Sequence, residues 1–385
     1  MRKALVAIVA IAAAFMMSIG GAISAEPIFI GEIAALTGAT SQQGLQERNG
    51  CILAMEEINA AGGLLGRPIK LVTYDFKGLP AEGVSVYRQL VQEGAKVIIG
   101  TNFSNVNLAI APVAEQLKIP VVSNAIEPKV TIPAAGQINK YHFLTQPSAI
   151  EQGAVVARFA LQELGMKTAA CLVNNGNSFA TSQAEAFRDY FNKNGGKVVE
   201  YIDYATGLLD FKALLTRIKA ANPDCIYLGQ YAQESGLQVK QAKELGIKAT
   251  IVGNNTLSTP VFIETAGGAA IVEGSYYVVG VNMAEARQVA FNEKYTKRFG
   301  EPLITTNVQF GYDNMYIIAD AIKRAGSDNP EAIRAALETT TKVKILQGDG
   351  SITLDPKTHR PDNMPLWIFK WENGKTVPQK LYYPY

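Results

Sequence analysis

The sequence predicts an α/β fold of two lobes, each built on a parallel sheet that is covered by helices. Three observations support this prediction: short apolar runs alternate with amphipathic segments, the alternation occurs in two successive series, and the connecting segments are short. Strands and helices that alternate with short connections form parallel sheets flanked by helices. The two series therefore indicate two similar lobes.

The first series begins just after residue 26. Apolar runs predict strands over 28–33, 69–74, 96–99 and 120–122. Amphipathic segments predict helices over 44–60, 81–93 and 106–117, the first of which ends at the glycine pair Gly62-Gly63. A glycine pair after an apolar periodic segment is a typical helix stop.

The second series repeats this order from residue 168. It predicts strands over 168–173, 197–204, 224–228 and 250–252, with helices over 179–193, 211–220 and 235–245. The remaining segments predict a strand over 276–279, helices over 285–299, 308–324 and 330–338, and a final strand pair over 351–354 and 366–371. These pieces are too few for a third sheet, so we expect them to complete the first two. The chain must then cross between the lobes several times, as in a hinged protein.

The first 25 residues have the pattern of a signal peptide. Arg2 and Lys3 precede an apolar run that ends in small residues before Glu26, which is typical of secretory leaders. No cysteine lies at the cleavage point, and no later segment has 18 uninterrupted apolar residues. We therefore expect a soluble, periplasmic protein without a lipid anchor.

The charge balance argues against a nucleic-acid partner, and the cysteines are expected to be structural. The chain has 36 basic and 34 acidic residues, and two of the basic ones lie in the leader, so the mature protein has a formal charge of zero. A nucleic-acid-binding protein would present a basic face. Cys51, Cys171 and Cys225 are expected to be buried thiols, although a Cys171–Cys225 disulfide is possible if their strands are neighbours.

No pattern predicts an enzyme, a metal site or a cofactor. The two histidines, His142 and His359, are far apart in sequence, and no His/Cys cluster has zinc-ligand spacing. The chain has no Walker loop, no G-x-S-x-G elbow, and no G-x-G-x-x-G after a strand.

The stretch 96–125 predicts half of a small-molecule site. Two polar loops, 101–105 and 123–125, each follow a predicted strand. In a parallel sheet such loops meet at the carboxyl edge, where α/β proteins bind ligands. Ser104 stands at a predicted helix start, where a hydroxyl and unpaired backbone N–H groups together suit an anion.

Several segments, taken in order, resemble the type I periplasmic solute-binding proteins of ABC importers, and in particular the leucine/isoleucine/valine-binding branch. They are IGEIAALTGATSQQG, AMEEINAAGGLLGRPIKLVTYDF, VIIGTNFSN, IPVVSNA, GQYAQESGLQVKQAKELGI with IVGNN, and FGYDNMYIIADAIKRAG. The resemblance implies two Rossmann-like lobes with parallel sheets joined by a three-crossing hinge. It implies crossings near Pro147, Gly280 and Gly348, with lobe one over 26–147 and 280–347 and lobe two over 148–279 and 348–385.

The resemblance also implies a function and a set of ligand-binding residues. A monomer would capture a small solute in its cleft and deliver it to membrane permease subunits. The family's carboxylate-binding serine matches Ser104, and its acid that pairs with a ligand ammonium matches Asn255. The full set of implied ligand-binding positions is Gln43, Asn102, Phe103, Ser104, Ser123, Asn124, Ala125, Glu127, Phe179, Tyr231, Asn255 and Asn307.

Three of these positions depart from the family pattern. Asn255 replaces an acid, and Gln43 and Asn307 replace aromatic residues. A buried ammonium without a negative partner is costly. Either another acid substitutes, with Glu32, Glu127 and Glu234 as candidates, or the ligand is not an amino acid. The alternatives are a carboxylate without an amine, such as an aromatic or keto acid, and a neutral amide; a periplasmic sensor of the same fold is the competing function.

Overall fold

Two sheets organise the chain, in a computed structural model that describes residues 26–38 and 40–384. The predicted signal peptide, residues 1–25, lies outside the described residues. The first sheet is parallel, in the order β2-β1-β3-β4-β5. Its strands are β1 (Ile28–Ala34), β2 (Ile69–Asp75), β3 (Val97–Ile99), β4 (Val121–Ser123) and β5 (His142–Leu144). The helices between them are α1 (Ser41–Ala60), α2 (Pro80–Gln92) and α3 (Ser104–Leu117), with a 3₁₀ turn at Pro128–Val130.

The second sheet has the order β16-β15-β10-β9-β8-β6-β7. Its parallel strands are β6 (Thr168–Asn174), β7 (Lys197–Tyr204), β8 (Cys225–Leu228), β9 (Thr250–Gly253) and β10 (Tyr276–Val279). An antiparallel pair, β15 (Leu366–Glu372) and β16 (Lys375–Tyr382), extends it. The helices are α4 (Ala149–Gln162), α5 (Ser178–Lys193), α6 (Lys212–Ala221), α7 (Ala232–Glu244), α8 (Pro260–Ala266) and α9 (Ala269–Val272), with a 3₁₀ turn at Asn255–Ser258. The predicted α/β class with two parallel-sheet lobes is confirmed.

After β10 the chain returns to the first sheet. This part contains α10 (Ala286–Phe299), α11 (Asn307–Ala325) and α12 (Pro330–Glu338), followed by the short strands β11 (Val343–Lys344), β12 (Ser351–Ile352), β13 (Leu354–Asp355) and β14 (Arg360–Pro361). Helix α11 packs closely on α1 because both present a glycine at the contact. A Cβ atom on Gly50 would lie 2.0 Å from the Val308 carbonyl oxygen, and one on Gly311 would lie 2.0 Å from the Glu47 carbonyl oxygen. Larger residues would separate the two helices.

The final strand pairing differs from the prediction. The predicted terminal pair, 351–354 with 366–371, does not form: β12 pairs with β11, and β15 pairs with β16. Ile352, Leu354 and Met364 pack in the core of the first sheet. The last passage to the second sheet therefore comes after Met364, later than the position near Gly348 that the resemblance implied. Residues 348–364 accordingly pack with the first lobe.

The three cysteines are buried and free, as expected for structural thiols. Although β6 and β8 are neighbours, their register pairs Cys171 with Tyr227 and Cys225 with Ala169. The two thiols are thus offset by two residues and form no disulfide. Within the described residues, no helix is both long and apolar enough to cross a membrane.

Candidate functional site

A cleft of ≈ 500 Å³ lies where the carboxyl ends of the two sheets face each other. Loops that follow strands β3, β4, β8, β9 and β10 all contribute to its wall, as expected for the ligand edge of parallel sheets. The first passage between the sheets, 145–148, and the second, 280–285, also border it through Gln146 and Asn282. The cleft therefore lies beside the segments about which the two lobes would hinge.

Nine of the twelve predicted site residues line this cleft. They are Gln43, Asn102, Phe103, Ser104, Asn124, Phe179, Tyr231, Asn255 and Asn307. Ser123, Ala125 and Glu127 lie behind the wall instead. The Ser123 hydroxyl is 3.4 Å from Nε2 of buried His142, Ala125 packs with Val130 and Leu144, and Glu127 bonds to other protein groups, described below.

Ser104 is the first residue of α3, and its hydroxyl is oriented by the neighbouring turn. Its Oγ accepts hydrogen bonds from the backbone N–H groups of Ile126 (3.4 Å) and Glu127 (3.3 Å). Since both bonds use the oxygen as acceptor, the hydroxyl proton remains to be donated into the cleft. The side chain is only 1% exposed, so this donor is fixed in position rather than solvated.

Asn124 is held from behind by a buried amide network. Its Nδ2 donates to Thr145 Oγ1 at 3.0 Å, Thr145 donates to Asn314 Oδ1 at 2.8 Å, and Asn314 donates back to Asn124 Oδ1. All three side chains are at most 2% exposed. A fully satisfied buried network of this kind is rigid, and it fixes the turn after β4 that carries the bonds to Ser104.

Gln146 is a cleft residue that sequence reasoning missed. It is 6% exposed, and its side-chain nitrogen, Nε2, has no hydrogen-bond partner within the described part of the chain. A buried amide N–H without a partner costs about 1–3 kcal/mol, so a ligand acceptor here would be stabilising. Its position in a passage between lobes, directly after β5, was the available signal, but β5 itself was not predicted.

Aromatic side chains meet across the cleft. The ring of Tyr231, at the start of α7, lies 5.1 Å from that of Phe179 in an edge-to-face arrangement. On the opposite side it lies 6.1 Å from the ring of Phe103, which belongs to the first lobe. Burial raises the pKa of the Tyr231 phenol, so this side chain is neutral and offers a hydroxyl together with an apolar face.

No charged side chain lines the cleft among the described residues. The acids considered as substitutes for Asn255 are engaged elsewhere: Glu32 accepts a hydrogen bond from Thr73 Oγ1 at 2.5 Å, and Glu234 accepts one from Asn174 Nδ2 at 2.6 Å. Glu47, which is buried behind the wall near Asn307, has its pKa raised well above its usual value by burial. The Glu47 side chain therefore favours its protonated, neutral form. An ammonium group in the cleft would have no carboxylate on the cleft wall.

Helix N-termini supply the electrostatics of the site. Helices α3, α7 and α11 begin at Ser104, Ala232 and Asn307, and none has a side-chain cap. The first backbone N–H groups of a helix have no intrahelical partner and carry the positive end of its dipole. Ser104 and Asn307 both line the cleft, so the surroundings favour an anion over a cation.

Direct hydrogen bonds join the two lobes beside the cleft. Asn105 Nδ2 donates to the Gly176 carbonyl at 3.1 Å, and Ser178 Oγ donates to Asn105 Oδ1 at 2.8 Å. Ser182 Oγ donates to Glu127 Oε2 at 2.7 Å. With the contact of Phe103 and Tyr231, these bonds define a closed arrangement of the lobes.

No group of His, Cys, Asp and Glu side chains within 26–38 and 40–384 is placed to hold a metal ion. The two histidines are nevertheless near each other: the Phe143 ring stacks on His359, and His359 Nδ1 lies 3.2 Å from the His142 carbonyl oxygen. Burial lowers the pKa of His142 to about 3. These histidines thus pack in the core of the first lobe, away from the cleft.

Comparison with known proteins agrees with this architecture. The chain is 30% identical to the Leu/Ile/Val-binding protein homolog 3 of Brucella melitensis, over 94% of this chain and 97% of that protein. In structure it is similar to LivJ, the branched-chain amino acid transporter substrate-binding protein of Streptococcus pneumoniae in complex with isoleucine. The TM-score is 0.83 at 26% identity, covering 93% of this chain and 100% of LivJ.

A solute-binding protein of an ABC transporter from Rhodopseudomonas palustris, in complex with 3,4-dihydroxybenzoic acid, has the same fold. Its TM-score is 0.79 at 22% identity, covering 93% of this chain and 98% of that one. The family described as periplasmic binding protein matches residues 27–376. Its members bind solutes and are not enzymes. With its two parallel-sheet lobes closing on an uncharged cleft, the chain belongs to the periplasmic binding protein family.

Proposed function

We propose that this protein captures a small carboxylate that carries no ammonium group and delivers it to the permease of an ABC importer. The observation that carries the proposal is the chemistry of the cleft wall, which has unpaired hydrogen-bond donors and no charged side chain among the described residues. The Ser104 hydroxyl, the Gln146 amide and the start of α3 would receive the carboxylate. Donors aimed at a carboxylate stabilise its charged form.

The same wall disfavours an amino acid. At neutral pH an amino acid brings an ammonium group, and enclosing that cation without a carboxylate partner costs several kcal/mol. Asn255 occupies the position where the resemblance places such a partner, and its amide is neutral. Glu32, Glu127 and Glu234 do not reach the cleft wall. We therefore propose an organic acid rather than leucine, isoleucine or valine.

Known proteins of this fold support both kinds of ligand. The LivJ structure contains isoleucine, whereas the Rhodopseudomonas palustris protein contains 3,4-dihydroxybenzoic acid. The fold thus accommodates aromatic acids, and the choice lies with the wall residues. The relatives named above are binding or transport proteins, so they give no support to a sensor.

Matched ligand pairs test the proposal. Leucine and 4-methyl-2-oxopentanoate share a carbon skeleton and differ in the amine, as do phenylalanine and phenylpyruvate. We expect the oxo acids to raise the melting temperature of the purified protein and the amino acids to leave it unchanged, since bound ligand stabilises the folded state. The amide of each binding acid serves as the control for charge. Stabilisation by leucine but not by its oxo acid would refute the proposal, and equal stabilisation by acid and amide would indicate a neutral ligand.

We further propose export to the periplasm and function as a monomer. Export is supported by the leader pattern of residues 1–25, and monomeric action by a cleft that one chain builds alone. N-terminal sequencing of the protein from a periplasmic extract should begin at Glu26. Light scattering of that material should give the mass of one chain.

A further inference from the structure

The ligand cleft continues past its polar end into a groove on the second lobe. The floor of this groove consists of Tyr277 and Val279 from β10 and Phe369 from β15, and its rim includes Thr376 and Pro378 from β16. These residues line the same cavity as Ser104. The groove is therefore continuous with the proposed carboxylate site.

The floor is apolar and firmly packed. The rings of Tyr277 and Phe369 are nearly parallel, with centroids 5.7 Å apart and an interplanar angle of 13°. Tyr277, Val279 and Phe369 are 3%, 6% and 6% exposed. Strand pairing places Tyr277 opposite Phe369, and Phe369 opposite Pro378, so the floor runs across three neighbouring strands.

Unlike the buried floor, the rim of the groove is exposed to solvent. Thr376 and Pro378 are exposed on the edge strand β16, and Met283 on the facing passage is 36% exposed. Ser258 and Thr259, which follow β9, border the other side. A ligand tail entering the groove would therefore lie over apolar floor residues and reach an exposed rim.

The size of the cavity exceeds what a small acid requires. A volume of ≈ 500 Å³ falls in the range of about 300–1,000 Å³ that encloses drug-sized ligands. A single-ring acid bound at Ser104 and Gln146 would leave the part of the cavity over Tyr277 and Phe369 unfilled. A longer apolar body would bury its own apolar surface there, which is favourable.

Building on the proposed function, we propose that the ligand is an elongated monocarboxylate, with its carboxylate at Ser104 and Gln146 and its apolar body lying over Tyr277 and Phe369. The chemical class is an arylalkanoate or alkanoate whose body is longer than one ring. The groove rather than the polar end then selects among acids, because every acid offers the same carboxylate.

A homologous series of ligands tests the groove. Benzoate, phenylacetate, 3-phenylpropanoate and 4-phenylbutanoate differ by one methylene at each step. We expect their affinities, measured by calorimetry, to rise by about fourfold per methylene, the increment for burying one such group. Affinities that stay constant or fall with length would overturn the proposal.

A substitution that fills the groove provides a second test, complementary to the ligand series. Thr376→Trp places a large ring at the rim on an exposed edge strand, where aromatic residues are well tolerated. We expect this variant to bind benzoate like the wild type and to lose about tenfold or more of the preference for 4-phenylbutanoate. Gln379→Trp is the matched control, because Gln379 is exposed on the same strand and does not line the cavity.

The outcomes separate this inference from the function on which it rests. If Thr376→Trp leaves the preference for long acids intact, the groove does not hold the ligand body, while the carboxylate site stands. If no acid of any length binds but leucine does, the proposed function fails together with the groove. Retained benzoate binding by Thr376→Trp shows that the variant is folded.

Discussion

Ser182 of the second lobe donates a 2.7 Å hydrogen bond to the Glu127 carboxylate of the first lobe. The backbone N–H of the same Glu127 donates to Ser104 Oγ, the hydroxyl that we assign to the ligand carboxylate. A short path of hydrogen bonds thus connects the proposed anion site with a bond between the two lobes, which we expect opening of the cleft to break. Ligand binding and closure would stabilise each other through this path.

Ser182→Ala is expected to weaken acid binding without unfolding the protein. The closed form loses one charge-assisted hydrogen bond, worth about 1.5–3 kcal/mol, and the open form loses nothing. Calorimetry with the tightest acid of the panel measures the effect. Thr181→Ala is the control, because the Thr181 hydroxyl bonds within its own helix to the Asn177 carbonyl. Equal affinities of Ser182→Ala and wild type would show that this bond does not contribute to closure.

Ser104→Ala is expected to weaken carboxylate binding by ~1–3 kcal/mol, the cost of removing a hydrogen bond to a charged group. The substitution also leaves the N–H groups of Ile126 and Glu127 without their acceptor. Affinity is measured for both an acid and its amide, and the acid should lose more. Ser85→Ala, on the exposed face of α2, should change neither. If Ser104→Ala binds the acid as tightly as the wild type does, Ser104 does not bind the ligand carboxylate.

Asn255→Asp should shift the preference toward amino acids. The change preserves shape and adds one negative charge to the cleft wall, so it repels a ligand carboxylate nearby and attracts an ammonium. We expect leucine to gain affinity and 4-methyl-2-oxopentanoate to lose it. Asn194→Asp, which adds the same charge at an exposed helix end, controls for long-range effects. If the affinities for leucine and for 4-methyl-2-oxopentanoate both fall, Asn255 does not face the position of the ligand amine.

Buried Glu32 should make stability depend on pH. Burial raises the pKa of its carboxyl from 4.5 to about 7, so the folded protein holds this proton more tightly than the unfolded chain. The stabilisation is complete below about pH 4.5 and is lost as the pH rises through about 7, amounting to roughly 3 kcal/mol. Burial also raises the pKa of Asp313 to about 7, which adds to the same trend.

Glu32→Gln should therefore flatten the decline in unfolding free energy between pH 5 and pH 8. Denaturant titrations at several pH values measure the slope. Exposed Glu264→Gln should follow the wild-type slope. A Glu32→Gln profile as steep as that of the wild type would show that Glu32 ionises as freely in the folded protein as in the unfolded chain.

Local patterns predicted most strands and helices, and the site residues that follow strands were predicted with them. Asn102, Phe103 and Ser104 lie in the loop and helix start that follow β3, and the rule that such loops meet at the carboxyl edge applies wherever the strand is recognised. Gln146 was missed because β5, His142-Phe143-Leu144, contains no β-branched residue, whereas the equally short β3 and β4 are marked by runs of Val and Ile. Strand β16 was missed because Pro378 and two lysines, Lys375 and Lys380, are typical of a non-strand segment, although such residues also occur on edge strands.

Contacts between residues that are far apart in the sequence could not be predicted from local patterns. Glu127 matched a ligand position in sequence, yet its carboxylate bonds to Ser182, which lies 55 residues further along the chain. The strand register likewise excludes a Cys171–Cys225 disulfide, which was possible only if the two strands were neighbours: they are neighbours, but the thiols are offset by two residues. Neither relationship leaves a local trace, because each depends on how two separately folded segments are placed.

The α/β class and the two series of alternating elements follow from the sequence alone, since they depend on short-range periodicity. The neutral residues Gln43, Asn255 and Asn307 became candidate ligand positions through the resemblance to a known family. Long-range packing, in contrast, determines that no acid among the described residues lines the cleft, that Gln146 faces it, that the chain returns to the second sheet after Met364, and that a groove continues toward β16. The physical reason is that burial, pairing and charge compensation depend on residues far apart in the chain. Their distances are set by the packing of the whole molecule.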